Sequence, residues 1–384
     1  MFYTSGISLA FFLAFVLFSK RDQTKADRIL AAWLLIIGVH LSGFYLSLSV
    51  DPYFYPYLVV FFSFPLLHGP MLYFYTASLT SQHLFRKQIW VWHFVPALLI
   101  CLMCIPFFLL PYNEKLQVFG GRGKDFEIET TVQRIFVSAS GVVYVTLSLW
   151  LLKTHSKRIQ DRFSYVEKIN LRWLRYLIYG VGIVWLAVFF GDDFIVFSLV
   201  ALFVMLLGYF GIKQMGIFTQ TNLASQNESL PIQDILLDTS LRVSEPISAA
   251  GEQKGKYQKS SLAHAASLEI HQQLCRVMSE QKPFLNPELT IGELATTFGV
   301  HSNVLSQVIN SMESKTFYDF INGKRIEEFK RIVALPQNQK YTLLALAYDC
   351  GFNSKTAFYR NFKSVTGQSP TQYLKQHHIQ IHSY

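Results

Sequence analysis

A run of long polar and cationic side chains lies near the end of this 384-residue chain and recurs at a helical spacing. Apolar residues lie between them and recur at a helical spacing of their own. A helix would therefore place the two kinds of side chain on opposite faces. The polar face consists of Lys355, Thr356, Tyr359, Arg360 and Lys363. Arginine and lysine donate to acceptors on base edges, and this pattern is typical of a helix in the major groove of double-stranded DNA. The alternative is the solvated face of a small helical bundle.

A preceding helix must hold that face against a duplex. An apolar helical pattern runs through Ala347 and ends at Gly351, a residue type that closes helices in the left-handed conformation. Asn353 or Ser354 then supplies a cap for the second helix. The sequence therefore predicts a helix-turn-helix unit at about residues 343–366.

The same arrangement occurs earlier, at about residues 291–312. Thr290 and Glu293 have the spacing of a capping box, and Gly299 stands where the later unit has Gly351. The outward residues of the second helix are Asn303, Ser306 and Gln307. Because this set is less basic, we expect the later unit to contribute more to DNA binding.

A single helix is predicted between the two units, over Thr316–Leu335, because Phe317, Phe320, Ile326 and other apolar residues form a helical stripe there. A continuous helix would hold the two recognition helices at a fixed separation. They could then enter successive major grooves, about 34 Å apart.

Residues 268–376 resemble the AraC/XylS family of bacterial transcription regulators. The matching residues are Leu346, Ala347, Gly351, Phe352, Ser354, Phe362, Lys363, Gly367, Ser369, Pro370 and Tyr373. The resemblance implies sequence-specific binding near promoters through the exposed residues of both recognition helices, and it favours activation of transcription. The chain departs from the family pattern at Gln307, where its own repeat has the basic Arg360.

Hydrophobic residues make up 51% of the chain and charged residues 15%, a low charged fraction for a globular protein. Seven apolar segments have roughly the 17 to 25 residues that cross a bilayer. They are approximately Phe2–Ser19, Leu30–Ser49, Tyr57–Leu79, Trp92–Leu110, Ile135–Leu152, Leu174–Phe190 and Phe194–Ile212. The predicted fold is all-α, with a seven-helix transmembrane bundle over residues 1–212 and a tandem helix-turn-helix domain over residues 262–384.

Basic residues follow the first, third and fifth apolar segments. They are Lys20, Arg21, Lys25, Arg28, Arg86, Lys87, Lys153, Lys157, Arg158, Arg162, Lys168, Arg172 and Arg175. Because loops rich in lysine and arginine stay in the cytoplasm, we expect an N-terminus outside the inner membrane and a cytoplasmic C-terminal domain. Asp192 and Asp193 divide the last two segments and must lie at a surface, since carboxylates are costly at the bilayer centre.

His40 and His68 are the candidate signal-binding residues of the apolar half. Gly69-Pro70 follows His68 and predicts a kink, because proline removes a helical hydrogen bond. A kinked helix beside a histidine could line a pocket for a small-molecule or hydrophobic signal, or form a proton-sensing site. The alternative is a histidine bonded to a carbonyl of a neighbouring helix.

No constellation of residues predicts catalysis. The four cysteines lack metal-type spacing and are interpreted as small apolar residues. Gly191-Asp192-Asp193 faintly resembles the motif of intramembrane aspartyl proteases, but a second intramembrane aspartate is missing. We therefore expect no enzyme, no metal site and no cofactor.

Residues 213–261 lose the apolar period and have the polar composition of a flexible linker, and a helix is expected from Leu262 to Met278. The leading hypothesis is a membrane-bound transcription regulator that couples a signal at the lipid bilayer to promoter binding. A homodimer is its simplest way to transmit the signal. The alternative is a membrane receptor or transporter-like protein whose helical tail is a protein-interaction module. A third hypothesis is proteolysis within the linker that releases a soluble activator.

Overall fold

The computed structural model describes residues 2–49, 52–80, 88–120, 124–166, 171–213, 252–379 and 381. The chain divides into two compact units. The first comprises Met1–Thr154 and Leu171–Pro231, and the second comprises His155–Asn170 and Ile232–Tyr384. The described residues are helical in both units and contain an isolated β-bridge but no strand. The all-α prediction is therefore confirmed.

Long apolar helices dominate the first unit. The helices are α1 (Phe2–Ser19), α2 (Lys25–Ser49), α3 (Pro65–Leu79), α4 (Val95–Met103), α5 (Ile105–Leu109), α6 (Tyr112–Gly120), α7 (Glu127–Arg162), α8 (Arg172–Phe190) and α9 (Asp193–Lys213). The 3-10 helices Pro52–Ser63 and Gln88–Phe94 precede α3 and α4. From His155 onward, the residues of α7 belong to the second unit.

Six helical stretches of the described residues are long and apolar enough to cross a membrane. They are Phe2–Ser19, Lys25–Ser49, Pro56–Leu79, Trp90–Leu109, Glu127–Arg162 and Arg172–Phe190. Asp193–Tyr209 is a shorter apolar stretch at the start of α9. Each of the seven predicted segments falls on one of these stretches or on α9.

Prolines explain why the third and fourth stretches are not uniform α-helices. Pro56 lies inside a 3-10 helix and Pro65 begins α3. A break at Cys104 separates α4 from α5, just before Pro106. Proline lacks the N–H that an α-helix needs in its interior, so these positions favour helix starts and breaks. At Pro70, where a kink was expected, α3 continues through the proline.

The first unit buries one face of its helices and exposes large apolar side chains on the other. α1 packs on α2 and α9, and Leu17, Trp33 and Leu34 are among the buried residues. Phe15 and Phe190 are 69% and 88% exposed. An apolar outer surface of this kind suits contact with lipid, because it would be unfavourable in water.

The second unit contains one long helix, and a second helix of intermediate length lies among its shorter ones. The helices are α10 (Glu252–Glu280), α11 (Ile291–Thr297), α12 (Ser302–Glu313), α13 (Phe317–Val333), α14 (Leu343–Asp349), α15 (Lys355–Thr366) and α16 (Pro370–Gln376). α10 begins before Leu262, its predicted start, because the Glu, Gln and Lys residues of 252–261 favour a helix without an apolar period. Residues 214–251 of the predicted linker lie outside the described residues.

Two apolar cores of the second unit share α13. Phe317, Phe320 and Ile321 enter the core of α11 and α12. Ile326 and Phe329 enter the core of α14 and α15. The continuous helix predicted between the two helix-turn-helix units is therefore present, and it holds both helix-turn-helix units on one support.

Candidate nucleic-acid interface

α15 has the two faces that its sequence predicts. Ser354 caps the helix by accepting a hydrogen bond from the amide of Ala357, at 3.1 Å. Gly367 closes the helix with a φ of 78°. Phe358 and Phe362 are fully buried in the second core. These contacts orient the opposite face of α15 outwards.

The predicted contact residues of α15 differ in exposure. Lys355, Thr356 and Lys363 are exposed, whereas Tyr359 and Arg360 are half-buried. The Lys355 Nζ lies 5.7 Å from the centroid of the Tyr359 ring, a cation–π arrangement. The exposed residues give a positive edge that suits phosphates and base acceptors.

Arg360 is held by a residue of α13. Its Nη2 donates to the hydroxyl of Tyr318 at 2.6 Å, and its Cζ lies 5.8 Å from the Tyr318 ring centroid. Asn361 Nδ2 donates to the same hydroxyl, also at 2.6 Å. Tyr318 thus links α13 to the recognition helix.

The earlier unit repeats this construction. Thr290 and Glu293 form the predicted capping box at the start of α11, and Gly299 has a φ of 62°. Leu305 and Ile309 of α12 are buried, as are the equivalent Phe358 and Phe362 of α15. The predicted contact residues Asn303 and Gln307 are exposed and Ser306 is half-buried. The sequence correctly separates the two faces of α12.

Tyr318, Asn322, Arg325 and Asn361 were not predicted as functional residues. Each is more than nine-tenths buried and lies among apolar neighbours on α13 or α15. A polar residue inside an apolar helical stripe was the available signal, since buried polar groups need partners. Their partners are distant in sequence, so the pattern could not identify the bonds.

His40 and His68 contact each other inside the first unit. The indole Nε1 of Trp33 donates to His68 Nδ1 at 3.3 Å, and His68 Nε2 lies 2.9 Å from His40 Nδ1. Because indole is only a donor, a neutral His68 carries its proton on Nε2 and donates to His40. Phe64 and Phe197 flank the His40 ring. The histidines therefore bond to each other, whereas the alternative had each bonded to a helix carbonyl.

His271, Cys275 and Glu313 form a small cluster in the second unit. His271 Nε2 lies 2.8 Å from a Glu313 carboxylate oxygen and 3.8 Å from Cys275 Sγ. Cys275 is exposed, in contrast to its interpretation as a small apolar residue. Partial burial, and then the charge of Glu313, raise the pKa of the Cys275 thiol, which disfavours the thiolate that binds metals. A hydrogen bond between His271 and Glu313 explains the cluster.

Known proteins resemble part of this chain. Residues 294–376 match the family model described as a helix-turn-helix domain. The melibiose operon regulatory protein of Escherichia coli (strain K12) is 26% identical over 160 residues, which are 41% of this chain and 51% of that protein. The uncharacterized HTH-type transcriptional regulator YijO of Escherichia coli (strain K12) is 28% identical over 93 residues, 24% of this chain and 32% of that protein. No solved structure matches the chain.

The match to the family model covers α12 to α16 and the end of α11, and so includes both recognition helices. The matched part of the chain spans between about a third and a half of the length of these relatives. Residues 294–376 of this chain therefore form a DNA-binding helix-turn-helix domain of the AraC type.

Proposed function

We propose that this chain is a membrane-bound transcription regulator that couples a signal at the membrane to the occupancy of a promoter. The observation that carries the proposal is that the described residues of one chain contain six helical stretches able to cross a membrane and a helix-turn-helix domain. A ligand that binds two states of the membrane part with different affinity would shift the population that binds DNA.

The membrane part crosses the inner membrane seven times, with α9 as the last span and the helix-turn-helix domain in the cytoplasm. The basic residues that follow α1 and those near the end of α7 support this orientation, because they favour the cytoplasmic side. An odd number of crossings from an outside N-terminus delivers the second unit to the compartment that holds DNA.

Both recognition helices contact the duplex from one support, α13. The shared cores of this helix keep α12 and α15 at a fixed separation, which suits two successive major grooves. Lys355, Thr356 and Lys363 supply the exposed contacts of α15, with Tyr359 and Arg360 beside them. Asn303, Ser306 and Gln307 supply those of α12. Two copies of the chain, brought together through the membrane part, would bind paired sites with higher effective concentration.

A small apolar molecule with a hydrogen-bonding group is the signal that fits the first unit best. His40 and His68 offer ring nitrogens among aromatic side chains such as Phe64 and Phe197. A ligand that replaces one of these bonds would change how α2 and α3 pack, since His40 lies on α2 and His68 on α3.

Chromatin immunoprecipitation of the full-length, membrane-fractionated protein tests the proposal. Lys355→Ala should remove discrete peaks, because it deletes an exposed cation at the start of α15. Lys375→Ala is the matched control, since it removes an exposed lysine from α16, outside the predicted contact face. Wild-type protein that is inserted in the membrane but gives no peaks would contradict the proposal and favour a receptor whose tail binds proteins.

A further inference from the structure

The end of α7 and the residues after it form part of the second unit. Ser164 is 1% exposed, and both its amide and its hydroxyl donate to the carbonyl of Leu289, at 3.2 and 2.7 Å. The neighbouring Phe163 forms an antiparallel bridge with Thr290, the cap of α11. Residues 159–166, called here the docking segment, are therefore attached to the start of the first helix-turn-helix unit.

Two polar residues of α13 receive the docking segment. Asn322 Nδ2 donates to the Ser164 carbonyl at 2.9 Å. Arg325 Nη1 donates to the same carbonyl at 3.3 Å, and Nη2 donates to the Ser164 hydroxyl at 3.1 Å. Arg325 is only 2% exposed, and a buried cation requires such partners. Ser164 thus helps to satisfy a buried guanidinium.

Apolar contacts extend the attachment to Tyr318. Ile159 and Val166 of the docking segment form a buried cluster with the Tyr318 ring, and Phe163 packs against it. The Tyr318 hydroxyl, in turn, accepts hydrogen bonds from Arg360 and Asn361 of α15. One residue of α13 therefore touches both the docking segment and the second recognition helix.

We propose that the docking segment is an internal inhibitor of DNA binding, and that Tyr318, Asn322 and Arg325 of α13 form its binding site. While the segment is bound, Tyr318 is fixed and holds Arg360 on α13, away from a base edge. When the segment leaves, Tyr318 loses that packing and Arg360 is released towards DNA. The link to a signal rests on the proposed function, because the segment follows the fifth predicted span.

The docking segment would transmit a signal from the membrane part to α13 without depending on residues 214–251. Movement of α7 would change the position of a segment that contacts α13 directly. The free energy that couples two sites in one protein commonly corresponds to about 5- to 150-fold in affinity. A change at the lower end of that range is the effect to look for.

A reversible cross-link between Phe163→Cys and Thr290→Cys tests the proposal in the full-length protein in lipid nanodiscs. Residues paired across an antiparallel bridge have Cα atoms about 4.5 to 5.5 Å apart, within the range that a disulfide spans. Mild oxidation should form the disulfide, and each single-cysteine variant controls for the native cysteines. The oxidised protein should bind a DNA fragment recovered by immunoprecipitation at least about fivefold more weakly than the same sample after reduction.

Ser164→Trp provides the opposite perturbation, because the indole cannot fit the buried site of Ser164. This variant should bind the fragment at least about fivefold more tightly than wild type. Arg162→Trp is the control, as Arg162 is exposed and precedes the site by two residues. Its lost positive charge can only weaken attraction to DNA, so tighter binding by this control would contradict the proposal.

Two further results would overturn the inference. Failure of the disulfide to form would show that the segment does not bind there. Equal DNA affinity of the oxidised and reduced forms would show that binding of the segment does not control the recognition helix. These results differ from failure of the proposed function. Formation of the disulfide is measured without DNA, whereas failure of the proposed function would appear as wild-type protein that binds no DNA fragment.

Discussion

Arg325 and Gly351 form one closely packed site at the residue scale. The Arg325 Nε donates to the Phe284 carbonyl at 2.7 Å. A Cβ at Gly351 would lie 2.5 Å from that carbonyl oxygen and 3.0 Å from the Arg325 Nε. Gly351 also has a φ of 90°, where side chains are rarely tolerated. Gly351 therefore allows the left-handed backbone of the turn and leaves room for the buried Arg325.

Gly351→Ala should destabilise the second unit by about 2 kcal/mol or more, because strain adds to a clash with backbone. Gly299→Ala is a matched control at the equivalent turn, with a φ of 62° and open space around the new methyl group. It should cost about 1 kcal/mol. Hydrogen exchange of α13 amides in the full-length protein measures both effects. Equal losses of stability from the two substitutions would contradict this explanation of Gly351.

Exposure of the contact residues was easier to predict than their bonds. A period of 3.6 residues separates Lys355 and Lys363 from the buried Phe358, so the sequence alone predicts which side chains face out. The bond between Arg360 and Tyr318 joins residues far apart in the chain and depends on how α13 packs on α15. Such contacts are set by tertiary structure, which local periodicity does not contain.

At the scale of elements, an ion pair joins α13 to Lys282, which lies between α10 and the 3-10 helix Pro283–Leu285. Lys282 Nζ donates to both carboxylate oxygens of Glu328, at 2.9 and 3.0 Å, and Arg331 donates to them at 2.6 and 3.0 Å. The hydrogen bond from Arg331, with that from Lys282, lowers the pKa of Glu328 to about 2 from an ordinary 4.5. The folded state therefore favours the ionised carboxylate.

The contribution of Glu328 to the free energy of unfolding should depend on pH, and the direction of that dependence follows from its pKa. Because its folded pKa is lowered, the stabilisation is present above pH 4.5 and is lost as the pH falls towards about 2. Glu328→Gln should cost about 1 to 2 kcal/mol at pH 7, and the difference from wild type should shrink below pH 4.5. Urea unfolding of the full-length protein in nanodiscs, followed by circular dichroism, measures it.

Glu327→Gln is the control for this experiment. Glu327 pairs with Lys324 at 3.1 Å, but its side chain is 65% exposed, so solvent screens the interaction. Its substitution should leave the unfolding midpoint nearly unchanged at either pH. A pH dependence as large as that of Glu328→Gln would point to a general effect of charge.

Helix boundaries followed from the sequence where caps and glycines mark them. Thr290 caps its helix as predicted, and Ser354, one of the two predicted candidates, caps α15, since the capping chemistry is local. The early start of α10 was missed, because a polar run without apolar periodicity resembles a linker. The breaks before Pro65 and Pro106 were also missed, since a hydropathy pattern does not distinguish a continuous helix from an interrupted one.

The arrangement in the membrane is the property of the whole molecule on which the proposed function depends. The apolar stretch Asp193–Tyr209 of α9 would be about 25 Å long, shorter than the roughly 30 Å of a bilayer core. The complete α9 has 21 residues and would span about 31 Å. At its start, Asp192 Oδ1 accepts from the Ile195 amide at 2.9 Å, so the carboxylate caps the helix.

Reporter fusions distinguish seven crossings from six. With seven, a green fluorescent protein fused after Tyr384 should fluoresce, and alkaline phosphatase inserted between Gly191 and Asp192 should be active, because the two sites lie on opposite sides. If α9 does not cross, both sites share one side and give the same reporter result.

The substitution Leu202→Arg, at an exposed apolar position of α9, should disturb the fluorescent signal, since a charge at mid-membrane is costly. Tyr209→Arg, nearer the end of α9, should be tolerated, because its guanidinium can reach the membrane surface. A cytoplasmic reporter at both fusion sites would place six spans in the membrane and contradict the orientation on which the proposed function relies.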